Sequence, residues 1–155
     1  MSLVECRAGQ FEGVLEDNCH QFFGIPYAKY EQRWDESILI EKELNLKVIK
    51  KGNSAPQTRA IDHNQSGTSF FLDNSLSKQS EDCLTLNICS NDIKANNPVM
   101  IWIHGGALVT GGSSSIMYEL KHLAKRGIVL VSINYRLGPF GFLRLNGVTG
   151  SQIKS

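Results

Sequence analysis

The residue types with the clearest chemical use lie together at His104-Gly105-Gly106-Ala107, followed closely by Gly111-Gly112-Ser113. Consecutive glycines put no side chains in the way, so their backbone N–H groups can approach a ligand oxygen closely and point at it together. Acyl-transfer chemistry uses this device to stabilise a developing oxyanion. A Gly-Gly pair serves equally well as a tight strand-to-helix turn with no ligand, so the flanking elements must decide between the two uses.

Those elements read as a βαβ unit. Val99-Met100-Ile101-Trp102-Ile103 and Ile128-Val129-Leu130-Val131-Ser132-Ile133 are short, nearly continuous apolar runs rich in β-branched residues, the pattern of parallel strands covered on both faces. Between them Ile116, Met117, Leu120, Leu123 and Ala124 share one helical face, with Ser115 as a cap and Lys125-Arg126-Gly127 as a stop. Upstream, Leu84, Leu86 and Ile88 alternate with Thr85 and Asn87, which predicts a strand with one buried face. The first 28 residues predict a hairpin, with Val4 and Cys6 before an Ala8-Gly9-Gln10 turn and Phe11, Val14 and Leu15 after it. It runs into Phe22-Phe23-Gly24-Ile25-Pro26-Tyr27-Ala28, where Gly24 and Pro26 exclude a helix and leave an extended, turning segment. Residues 38–49 mix both periods and support no assignment. The polar stretch 52–80, rich in Ser, Asn and Gln, predicts a long surface loop.

Composition bounds the function classes. A chain of 155 residues, 41% hydrophobic and 20% charged, predicts one soluble domain over 1–155. Its 16 basic and 15 acidic residues are not segregated, which argues against a nucleic-acid partner. Met1-Ser2-Leu3-Val4-Glu5-Cys6-Arg7 lacks the pattern of a secretory leader, and no apolar run has the length of a membrane span. A cytoplasmic, membrane-free location is the expectation. The cysteines at 6, 19, 83 and 89 have no CxxC spacing, and with four histidines they predict no metal site and no cofactor.

Three further segments, in order, carry a family resemblance: Phe23-Gly24-Ile25-Pro26-Tyr27-Ala28, Ser80-Glu81-Asp82-Cys83-Leu84-Thr85-Leu86-Asn87 and Asn134-Tyr135-Arg136-Leu137-Gly138-Pro139-Phe140-Gly141-Phe142-Leu143. With the glycine loop, they make residues 9–143 similar to the type-B carboxylesterases and cholinesterases, para-nitrobenzyl esterases above all. The resemblance implies the N-terminal part of an α/β-hydrolase fold, with an N-terminal hairpin followed by a mixed sheet containing the βαβ unit. It also implies a small carboxylic ester as substrate. Carried over, the family pattern makes the N–H groups of Gly106 and Ala107 oxyanion donors, with Gly105 keeping the turn tight. His104 orients the loop rather than acting as a base, and Glu81 pairs with Arg33. Arg136 is structural. Cys83 is disulfide-bonded in secreted relatives to a cysteine before a Pro-Gln pair; here that place reads Ala55-Pro56-Gln57, so Cys83 is expected as a free thiol.

The nucleophile of such hydrolases sits in a G-x-S-x-G elbow, followed by the acid and the histidine. No such elbow occurs here. The expectation is therefore a piece of a serine esterase, truncated before the elbow and inactive alone. His122 then reads as a surface helix residue. The complementary C-terminal part is the expected partner, and an uncovered sheet edge the expected cost. Two alternatives stand beside this one: a non-catalytic binding module on the same scaffold, and a truncated gene remnant without function.

Overall fold

The computed structural model describes residues 1–41, 44–57, 78–114 and 121–143. The chain opens as an antiparallel meander. β1 (Ser2–Cys6) pairs with β2 (Gly9–Glu16) from Ser2↔Gly13 to Cys6↔Gly9, so the expected first hairpin turns at Arg7-Ala8 rather than at 8–10. A second hairpin joins β2 to β3 (Cys19–Pro26) through Asp17 and Asn18, both left-handed at φ 50° and 59°. Short polar side chains tolerate that conformation best, and it matches the twist of the flanking strands.

β4 (Ala28–Lys29) pairs with β5 (Ile38–Leu39), and β6 (Leu44–Lys47) lies parallel to β2. Residues 38–49, ambiguous in sequence, thus contribute two short strands. Just beyond β6, Val48 wedges between β2 and β3. Its N–H donates to Glu12 O at 2.8 Å and its carbonyl accepts from Phe23 N–H at 2.7 Å. The pairing of β3 with the next strand slips between Phe22 and Ile25, beside this insertion.

β7 (Thr85–Ser90) runs antiparallel to β3 on one side and to β9 (Val129–Ile133) on the other. β8 (Val99–Ile103) is parallel to β9 from Val99↔Val129 to Ile103↔Ile133. The sheet order is β1-β2-β3-β7-β9-β8, with β6 against β2. The helix linking β8 to β9 is described only as α1 (Lys121–Ala124); Ser115, Ile116, Met117 and Leu120 lie outside the described residues. Ala124 is buried against Cys19, Cys89 and Leu130. Leu123 is 39% exposed, not part of the buried face expected for it. One residue is a rotation of about 100° round a helix, so with Ala124 turned to the sheet its neighbour turns away. His122 is exposed.

Two further expectations change. In β7 Thr85, Asn87, Cys89 and Ser90 are buried, while Leu86 and Ile88 are only partly so; Leu84, just before the strand, is buried as expected. β7 sits mid-sheet, and its polar face is buried because Asn87 finds hydrogen-bond partners there. In β8 all five residues are exposed, between 40% and 63%, whereas β9 is buried or half-buried. Among the described residues β8 is the edge strand, pairs only with β9, and has both faces open. Of the stretch 52–80, residues 58–77 lie outside the described residues, and its near flank is not surface. Ser54 and Ala55 are buried, and Ser54 bridges to Gln79.

Candidate active-site loop

The site is built where β8 ends. A parallel strand delivers the chain at its carboxyl end, where loops of α/β sheets place their functional groups. His104 follows Ile103 directly and is buried to 3% exposure, while Gly105, Gly106, Ala107 and Leu108 are exposed. The path needs three successive left-handed residues: Gly106 at φ +120°, Ala107 at +53° and Leu108 at +62°. Only glycine fits at 106, where a Cβ would lie 2.0 Å from Thr110 O. For Ala107 and Leu108 the conformation costs about 1–2 kcal/mol each, so surrounding contacts must hold it.

Those contacts are present. The Gly106 carbonyl accepts the N–H groups of Val109 and Thr110, both at 3.0 Å, and the Leu108 carbonyl accepts Gly138 N–H at 2.7 Å. Gly138 opens α2 (Gly138–Phe142), whose Pro139 sits in the first turn where proline is favoured. His104 stacks on Tyr135, ring centroids 4.4 Å apart and planes 11° from parallel. Tyr135 donates its hydroxyl proton to His104 O at 2.7 Å. His104 Nδ1 lies 2.9 Å from Gly105 O, an acceptor only, so this nitrogen carries the proton. Burial lowers the His104 pKa against that hydrogen bond, favouring the neutral ring.

Below the loop a buried polar network fixes its far end. Asn134 Oδ1 accepts Ser113 N–H at 2.7 Å, and Asn87 Nδ2 reaches Ser113 Oγ and Ser132 Oγ, both at 3.2 Å. Gly24 N–H donates to Asn87 Oδ1 at 3.0 Å, linking β3 to the same network. Sequence reasoning missed Asn87, Asn134, Tyr135 and Gln57, whose carboxamide contacts Gly111. Asn87, Asn134 and Tyr135 stood in recognised motifs, and Gln57 in the Pro-Gln pair after Ala55, but nothing in the sequence gave these side chains their partners.

Among the described residues, the Gly106 and Ala107 N–H groups have no intrachain acceptor. The arrangement therefore offers two adjacent exposed donors at the end of a parallel strand.

The other residues singled out by sequence form a separate cluster. Arg33 Nη2 lies 2.6 Å from Glu81 Oε1, and this contact holds the Glu81 carboxyl below the usual carboxylate range. Arg136 donates to Asp35 O at 2.8 Å and lies over the Tyr30 ring at 4.9 Å. Tyr30 in turn donates its hydroxyl proton to Glu81 O. Arg33 lies over Phe140 at 5.2 Å, tying the cluster to α2. Cys83 is fully buried with Ala28, Ala55, Leu84 and Leu137, and burial pushes its thiol up to about 11. All four cysteines are free. Among the described residues no group of three or more His, Cys, Asp or Glu could hold a metal.

Comparison with known proteins decides the affiliation. The model of the carboxylesterase family matches residues 1–151. The chain belongs to the carboxylesterase family. It is 36% identical to the para-nitrobenzyl esterase of Bacillus subtilis (strain 168), over 93% of this chain and 29% of that protein. It is likewise 36% identical to the phenmedipham hydrolase of Pseudarthrobacter oxydans, over 91% of this chain and 29% of that protein. A solved PNB esterase superposes with a TM-score of 0.77 at 35% identity, over 92% of this chain and 29% of its own length. A thermophilic PNB esterase gives 0.76 at 35% identity, with the same coverage. The fold is thus the N-terminal part of the esterase α/β-hydrolase fold, and the chain spans about 29% of the length of these relatives. Among the described residues no helix is long and apolar enough to cross a membrane.

Proposed function

We propose that residues 104–107 supply two of the three donors of the oxyanion hole of a type-B serine carboxylic-ester hydrolase. The observation that carries this reading is the adjacent pair of N–H groups at the exposed residues Gly106 and Ala107, without an acceptor among the described residues, on a left-handed turn whose Gly106 and Leu108 carbonyls are hydrogen-bonded. The substrate class is small carboxylic esters, and the reaction is acylation of a serine followed by hydrolysis of the acyl-enzyme. His104 orients the loop: its proton is tied to Gly105 O and its ring is stacked, which fits an orienting group better than a base.

No G-x-S-x-G elbow occurs in this sequence. The serine, the acid, the catalytic histidine and the third oxyanion donor belong to a complementary C-terminal part of the domain, and residues 1–155 form one partial domain with it. Ala55, packed with the free thiol of Cys83, fits a reducing cytoplasm.

The test is reconstitution. The purified chain alone is expected to leave a para-nitrophenyl ester unhydrolysed. Mixed with the remaining C-terminal part of the Bacillus para-nitrobenzyl esterase, it is expected to restore turnover. Removing one oxyanion donor costs about 100- to 1000-fold in rate, so the C-terminal part alone should fall at least that far short of the mixture. Organophosphate-sensitive turnover by this chain alone would overturn the reading, as would a mixture no more active than its parts.

A further inference from the structure

Gln57 lies 54 residues before Gly111, yet its carboxamide makes a reciprocal pair of hydrogen bonds with that one residue. Nε2 donates to Gly111 O at 2.8 Å, and Oε1 accepts Gly111 N–H at 2.8 Å. A primary amide can satisfy both groups of one peptide residue only when it faces them edge on, so the pair fixes orientation as well as distance. The grip is itself anchored. Gln57 N–H donates to Gln79 Oε1 at 3.1 Å, and Nε2 also reaches Ala55 O at 3.1 Å, next to the Ser54↔Gln79 bridge.

Gly111 is the residue where the loop closes on its own beginning. At φ +113°, a Cβ there would lie 2.4 Å from His104 Nδ1 and 2.5 Å from Gly105 O. The residue that Gln57 holds is therefore packed against the two residues that precede Gly106 and Ala107. The loop is pinned at its start by Tyr135 on His104 O, and at its close by Gln57.

We propose that Gln57 is a positioning residue: by gripping both backbone groups of Gly111 it sets the turn that presents the Gly106 and Ala107 N–H groups. The purpose assigned to that presentation rests on the oxyanion reading above; the grip does not. The hydrogen bonds of Gln57 reach Gly111, Ala55 and Gln79 and neither proposed donor, so it acts through Gly111.

The test uses amide resonances and hydrogen exchange of the full chain, wild type against Gln57→Met, which keeps the length but loses both bonds. Gly111 exchange is expected to rise on the order of tenfold, as for one or two lost hydrogen bonds. The Gly106 and Ala107 resonances should move, while amides of β3 and β7 keep their rates. Gln57→Glu keeps an acceptor for Gly111 N–H but turns an acceptor-only oxygen onto the Gly111 and Ala55 carbonyls, so it should displace the same signals; it decides the matter if Gln57→Met does not fold. Unmoved Gly106 and Ala107 resonances would overturn the proposal. So would a uniform rise in exchange across β3 and β7, which would mean general loosening only. Separately, wild-type chain is titrated with methylphosphonate, an anion resembling a tetrahedral oxyanion. No response at Gly106 and Ala107 there would count against the oxyanion reading alone, and the displacements in Gln57→Met would still support the grip.

Discussion

Tyr135 holds His104 twice, by a ring stacked 4.4 Å from the imidazole and by a hydroxyl that donates to the His104 carbonyl at 2.7 Å. Removing only the hydroxyl, in Tyr135→Phe, strands that carbonyl and should cost about 1–2 kcal/mol. Tyr135→Ala should cost about 3 kcal/mol or more, because the stacked ring is lost as well. Urea unfolding of the three proteins orders them; equal midpoints for wild type and Tyr135→Phe would show that the hydroxyl does not stabilise the loop.

Burial depresses the pKa of His104, so the unfolded chain binds a proton more readily than the folded one. Stability from this residue is then fully present above about pH 6.5, the unfolded value, and is lost as pH falls from there through the depressed folded value. Wild-type unfolding midpoints should hold above about pH 6.5 and drop as the pH falls from there towards about 5. His104→Gln should show a shallower drop, and parallel pH profiles for the two would remove His104 as the cause.

The left-handed run at 106–108 makes opposite forecasts for neighbouring positions. Ala107→Gly relieves a strained backbone at the expense of a floppier unfolded chain, for a net gain of up to ~1 kcal/mol. Gly106→Ala forces a Cβ to within 2.0 Å of Thr110 O and should cost at least ~2 kcal/mol. Thermal melts of both variants check the signs.

Ala55 and Cys83 share one buried cluster. Ala55→Cys should form a disulfide with Cys83 under mild oxidation, despite the raised thiol pKa, which slows the reaction. Closing that loop should stabilise the chain by about 3–4 kcal/mol on chain entropy alone. Mass spectrometry reports the bond, and melts with and without reductant report its effect. Two free thiols after oxidation would show that the backbone holds these residues too far apart.

β8 presents five apolar residues and no charge along the edge of the sheet, the arrangement that natural edge strands avoid. The chain by itself should self-associate as its concentration rises. A charge in mid-strand, Ile101→Lys, should reduce light scattering while circular dichroism stays the same. Undiminished scattering would place the sticky surface elsewhere.

How much of this was legible in the sequence depends on how local each signal is. The βαβ unit and the glycine loop were, because β-branched runs and a cluster of glycines are statements about adjacent residues. Asp17-Asn18 could have been read as a hairpin turn by the same logic. The polar burial of β7 could not, because Asn87 is tolerated inside only through Ser113, Ser132 and Gly24, which are distant in sequence. Leu123 was misplaced by a helical wheel that cannot tell which flank of a broad apolar face meets the sheet. The Pro-Gln pair marked the place of Gln57 but not its role, since that role lies in a glycine 54 residues away.

The loop after β8 borrows its shape from residues on both sides of it in the chain: Gln57 before, and Asn134, Tyr135 and Gly138 after. No short segment containing residues 104–111 holds all of these partners, so the turn cannot form early from local preference. Contacts of such long sequence separation form late, once the closure entropy of the intervening chain has been overcome. On a ribosome, the turn would have to wait until Gly138 had emerged. The order in which the chain is made therefore places the anchoring of the Gly106 and Ala107 amides after the synthesis of both β8 and β9.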